Sequence, residues 1–72
     1  TPTFALMTAE EEQAKEKALI WYKKGKTDWI MGRHYEPPDH STLRRAYSEG
    51  WSDEIQGLYP DDEEVLLAIF GV

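Results

Sequence analysis

Residues 25–54 read GKTDWIMGRHYEPPDHSTLRRAYSEGWSDE. Two segments of helical pattern flank a double proline, and each carries glycine and tryptophan on one face. Pro37 drives Glu36 out of helical angles and Pro38 does the same to Pro37, so the connection from Arg33 to His40 is extended and stiff. Upstream of it, Ala14, Ala18, Trp21, Gly25, Trp29 and Gly32 recur at steps of three and four, and Leu19, Tyr22 and Ile30 widen that stripe. Glycine inside a helix costs about 1 kcal/mol against alanine. The stripe nevertheless keeps its phase through Trp29, which argues that the helix runs past Gly25 to about Gly32. Downstream, Leu43, Tyr47, Gly50, Trp51, Glu54, Ile55 and Leu58 keep the period of a second helix, from Ser41 or Thr42 to Gln56. Asp39 or Ser41 is its expected N-cap and Gly57 its stop. Small residues at positions 25, 32, 46 and 50 predict a close approach of two antiparallel rods, with Trp29 and Trp51 filling the space beside them.

Working outward, Thr8-Ala9-Glu10-Glu11 has the pattern of a capping box. The threonine hydroxyl accepts from the Glu11 amide, and three successive glutamates suit the positive end of the helix dipole. Residues 1–7 are expected to be a loose lead-in, and Phe4-Ala5-Leu6-Met7 is too short for the apolar segment of a signal peptide. After Gly57, Tyr59-Pro60-Asp61-Asp62-Glu63-Glu64 opens a last helix in which Asp61 caps the amide of Glu64. Val65, Leu66, Ala68, Ile69 and Phe70 make it strongly apolar, and Gly71 ends it. A helix this short does not persist alone, so it folds onto the hairpin, a second copy or a partner. The expected fold is therefore all-α: an antiparallel helical hairpin with a short C-terminal helix packed on it, one domain over residues 8–72.

The 72 residues include no cysteine, which rules out disulfides and thiolate metal sites. Three tryptophans, four tyrosines and two phenylalanines supply dense packing instead. No apolar run reaches the roughly 20 residues of a membrane span. A cytoplasmic protein is expected, with no membrane partner. The net charge of −6 is unevenly placed: residues 23–45 carry six basic side chains against three acids, and residues 46–72 carry seven acids and no lysine or arginine. A basic middle between acidic ends can present a local cationic patch to RNA despite the overall sign.

The chemistry-bearing residues point to binding and not to catalysis. No glycine loop with lysine and serine is present to cradle phosphate, and no nucleophile stands with a placed histidine and acid. An enzyme, a cofactor and a small-molecule substrate are accordingly not expected. His34 and His40 stand near Glu36 and Asp39, but their spacing matches no tight ligand pattern, so no metal site is expected. Lys23, Lys24, Lys26, Arg33, Arg44 and Arg45 admit two readings: a clamp for phosphate or carboxylate near the turn, or a solvated face balancing the acidic ends. Glu49, Asp53, Glu54, Asp61, Asp62, Glu63 and Glu64 likewise serve either as helix-start and surface charge or as an acidic patch for a basic protein surface. The tryptophans belong first to the core, with Trp21 beside Tyr22 the candidate interface anchor.

Gly25, Gly32-Arg33, Pro37-Pro38, Arg44-Arg45-Ala46-Tyr47 and Gly50-Trp51 together resemble the ribosome modulation factor family of small bacterial and phage proteins, over about residues 18–54. The resemblance implies a helical hairpin that binds ribosomes and shuts translation down through contacts with ribosomal RNA and protein. Carried over by position, it puts Arg33, Arg44 and Arg45 on a phosphate-facing rim and gives Gly25, Gly32, Gly50 and Trp51 to the hairpin. The departures are the net charge, the acidic last helix, Glu36 before the prolines, and the bulk of Trp29. The chain thus reads as a regulator that docks on the ribosome or its RNA. The alternative is an acidic inhibitor or adaptor, phage-encoded, that binds a basic surface of a host enzyme such as RNA polymerase, a nuclease or a defence complex, or mimics nucleic acid. A homodimer through Val65–Phe70 is the third option.

Overall fold

The computed structural model describes residues 9–71. The lead-in and the Thr8 half of the capping box lie outside that range. The described chain is helical throughout its regular structure, with α1 at Ala9–Ile30, α2 at Ser41–Gln56 and α3 at Asp62–Phe70. α1 packs extensively on α2, and α3 packs on both.

α1 continues through Gly25, in keeping with its stripe. Its buried face is Ala18, Tyr22, Gly25 and Asp28, so of the expected stripe only Ala18 and Gly25 are buried, Ala14 is exposed, Trp21 is half-buried, and a carboxylate closes the face. Trp29, expected there, is 44 % exposed. Gly32 does not lie on the contact face where its spacing puts it: a Cβ there would meet nothing within 4 Å. It ends α1 instead. With φ at 72° it donates to Trp29 O at 3.1 Å, while Arg33 N–H donates to Asp28 O at 2.8 Å, the paired bonds of a Schellman stop. The left-handed angle is cheap only without a side chain, which explains the glycine without any inter-helix role.

The close approach is made by Gly25 and Gly50. A Cβ on Gly25 would lie 2.2 Å from Tyr47 O, and one on Gly50 would lie 1.9 Å from Tyr22 O. Ala46 is fully buried beside them. Trp29 and Trp51 meet edge to face next to this crossing, their centroids 5.5 Å apart, as the pattern anticipates.

Residues 31–40 close the hairpin as an extended strap. Ten residues at full extension reach about 33 Å, comparable with the length of a 22-residue helix. The strap runs back along α1: Glu36 shares a cleft with Trp21 and Lys24, and His40, Thr42 and Leu43 share another with Gln13, Ala14 and Lys17. α2 therefore sets out beside the first half of α1 and ends near Lys26, whose ammonium donates to Leu58 O at 3.1 Å. The strap is the returning leg of the hairpin, and the two rods cross at their glycines. The N-cap of α2 is His40, with no side-chain capping bond, in place of the expected Asp39 or Ser41. Asp39 is turned to Arg44, 3.9 Å away, and Ser41 is already helical.

α3 turns Val65 and Ile69 onto Ala18, Tyr22 and Ala46 and leaves Leu67 and Phe70 outward. Asp61 Oδ1 accepts from Glu64 N–H at 2.9 Å, the expected cap. Asp61→Ala is expected to cost about 1 kcal/mol and to speed amide exchange in α3 before the rest of the molecule.

Candidate functional site

The helical period divides α1 into two flanks on either side of its buried face. Lys17, Trp21 and Lys24 follow one flank at steps of four and three, with buried Asp28 at its edge; Lys26 lies on the other, next to buried Tyr22. The six cations singled out by sequence are therefore not one cluster.

Lys26 is committed to the fold. Its ammonium lies 3.7 Å from Glu54, 5.1 Å from the Tyr22 ring centroid and 4.6 Å from that of Tyr59, besides its bond to Leu58 O. It satisfies the Leu58 carbonyl just beyond α2 and ties that end to α1. Arg44 holds the strap to α2, donating from Nε to Pro38 O at 3.2 Å and pairing with Asp39. Lys23 and Arg45 are exposed.

Lys24 and Arg33 do come together. With Trp21, Asp28, His34 and Glu36 they line an open cleft of about 430 Å³ between α1 and the strap. Lys24 Nζ stands 5.8 Å from the Trp21 centroid. Trp21 is half-buried, and its ring is set against Tyr47 at 6.2 Å and a tilt of 60°. Arg33 is solvent-facing and lies 3.4 Å from Asp28 Oδ1.

The floor of this cleft is a polar network that sequence reading missed. Asp28 is 4 % exposed, and Tyr47 is fully buried. Tyr47 Oη donates to Asp28 Oδ2 at 2.5 Å and accepts from Glu36 N–H at 3.3 Å. The Tyr47 hydrogen bond holds the Asp28 carboxyl below its usual range, helped by Lys24 and Arg33, against the opposing effect of burial. Burial first, then the same bond, pushes the Tyr47 phenol up. Among buried side-chain polar atoms of the described residues none lacks a partner. The available signal was Asp28 itself: an acid in phase with a buried stripe requires a donor from the facing helix.

The acids of the chain's last third lie elsewhere. Asp53 accepts from Tyr22 Oη at 2.6 Å, Glu54 holds Lys26 and Tyr59, and Asp61 caps α3. Burial and the Asp53 bond raise the Tyr22 phenol well above its ordinary value. Glu49 is half-buried on the same helix, and Asp62, Glu63 and Glu64 are exposed in the first turn of α3. A second, smaller cleft of about 240 Å³ lies where α1, α2 and Phe70 meet, and Lys17 and His40 reach it.

Among the described residues no group of three or more metal-ligating side chains comes together, and no helix is long and apolar enough to cross a membrane. Comparison with protein-family models, curated proteins and solved structures finds no match.

Proposed function

We propose that this chain is a non-enzymatic docking protein of ribosome modulation factor-like type, which regulates translation by binding ribosomal RNA through the flank carrying Lys24 and Arg33. The observation that carries the reading is the composition of that flank. Two exposed cations stand beside an aromatic ring; Asp28 beneath them is buried, hydrogen-bonded by Tyr47 and paired with Arg33, and Glu36 is the one exposed acid among the residues lining the cleft. Phosphate contacts need accessible cations, and a single-stranded base needs a π-face; both are present. Lys17 extends the same flank toward the start of α2, and Arg44 and Arg45 are exposed in that helix's first turns. The Gly25–Gly50 crossing also supports the reading, because these glycines belong to the frame on which the family resemblance rests.

Co-sedimentation with ribosomes, followed by filter binding to ribosomal RNA at graded salt, tests this. Lys24→Glu, and separately the pair Arg44→Glu with Arg45→Glu, should each weaken binding about tenfold or more. Each should also make the salt dependence shallower, by roughly one ion for every phosphate no longer neutralised. Binding indifferent to all of these reversals would discard the RNA-docking flank.

The second reading, an acidic adaptor for a basic protein surface, is supported by Asp62, Glu63 and Glu64, which stay exposed beside a Tyr59 ring that is 72 % exposed. A pull-down that survives nuclease and is abolished by neutralising those three acids would favour it.

A further inference from the structure

We propose that the cleft between α1 and the strap takes one unpaired guanine nucleotide, an inference that rests on the RNA-docking reading and specifies its ligand. In this arrangement the base stacks on Trp21, the Glu36 carboxylate accepts from guanine N1–H and N2–H, and Lys24 and Arg33 meet the phosphate.

The cleft's volume of about 430 Å³ falls within the roughly 300–1,000 Å³ of small-ligand sites. Its aromatic wall is fixed before any ligand arrives. Trp21 is braced by Tyr47, so stacking a base on it does not require ordering a loose ring. Lys24 already occupies a cation–π position over that ring. An arriving base takes its place and releases the ammonium toward the sugar–phosphate.

The choice of base follows from Glu36. Its backbone N–H is held by Tyr47 Oη, which fixes the residue at the cleft. Its carboxylate makes no hydrogen bond or ion pair with the described residues. An ionised carboxylate only accepts. Guanine is the one standard base that offers two adjacent N–H donors on a single edge; adenine and cytosine each offer one amino group next to an acceptor that a carboxylate repels. Asp28 does not compete for those donors, because it is buried and spent on Tyr47 and Arg33. Inside a duplex that guanine edge is already paired, so the site selects an unpaired nucleotide.

The experiment is a titration of the full chain with guanosine, adenosine and cytidine 5′-monophosphates and with inorganic phosphate. The readout is the Trp21 indole N–H and the amides of residues 33–36 by NMR. Guanosine monophosphate should move these signals at a concentration roughly tenfold below that of the other nucleotides, with phosphate alone weaker still. Glu36→Gln, at an exposed side chain, should keep the fold and erase the preference for guanine while nucleotide binding persists. Equal affinity for the three nucleotides, or for phosphate and nucleotide, overturns the proposal, as does a response centred away from the cleft. Guanine-selective shifts in a protein that does not bind ribosomal RNA would uphold the cleft and discard the docking reading. RNA binding with no mononucleotide response would do the reverse.

Discussion

Gly50→Ala is expected to destabilise the protein by at least about 2 kcal/mol, although alanine is the better helix former. Helix propensity alone favours the substitution by about 1 kcal/mol. The added methyl, however, would sit 1.9 Å from Tyr22 O and 2.8 Å from Tyr22 C. These are backbone atoms of a packed helix, so no rotamer change relieves the clash and the rods must separate. Overpacking of this kind costs typically 1–3 kcal/mol and more where the obstacle is rigid. For a domain of this size the melting temperature should fall by roughly 10–15 °C. Gly25→Ala meets Tyr47 O at 2.2 Å and should behave alike. The double variant should lose less than the sum, because both methyls force the same separation. Gly32→Ala supplies the contrast: its surroundings are open, so it loses only the roughly 1–2 kcal/mol of a left-handed residue with a side chain. Melting curves of the four variants check this. A Gly50→Ala protein as stable as the parent would refute the crossing.

The glycines also mark how far sequence reasoning reaches. Gly25 and Gly50 are legible because a glycine in phase with an apolar stripe has few uses other than close approach. The helix limits at Gln56 and Phe70 are legible because their stops are local, written within a few residues of the end. Gly32 is misplaced by its spacing because a stripe position and a stop position fall on the same residue there, and only backbone geometry separates them. The course of the strap is hidden for another reason. Pro37 and Pro38 specify an extended chain but not which flank of α1 it follows. That choice decides the candidate site: it brings Arg33 and Glu36 to Lys24 and Trp21, while the end of α2 captures Lys26. In the linear sequence Lys24 and Lys26 are equivalent cations, and their opposite fates follow from the roughly 200° between them around the helix.

Tyr47→Phe is expected to cost about 2–3 kcal/mol, more than an ordinary hydrogen-bond deletion. The deleted hydroxyl serves a buried carboxylate at 2.5 Å and an amide of the strap at 3.3 Å. Bonds to charged groups contribute about 1.5–3 kcal/mol, and the deserted partner keeps its desolvation penalty. Arg33, largely in solvent and 3.4 Å from the other oxygen, screens Asp28 only in part. Acid separates this mechanism from simple loss of packing. Asp28 has a depressed pKa when folded, so its stabilising contribution is present above the unfolded value near 4 and is lost as pH falls through the folded value. Since the Tyr47 bond is the largest cause of that depression, the phenylalanine variant should lose less stability than the parent between pH 7 and pH 3. The alkaline limb has the opposite sign. Tyr22 and Tyr47 are raised when folded, so their contribution is intact below about 10 and declines as pH rises above it, with the unfolded chain releasing its phenolic protons first. Tyr47→Phe should soften that limb too, leaving the part owed to Tyr22 and to exposed Tyr59, which Glu54 also raises. Urea midpoints at pH 3, 7 and 10.5 measure all three regions. An acid limb identical in parent and variant would show that Asp28 does not depend on Tyr47, and the polar floor of the cleft would then need another explanation.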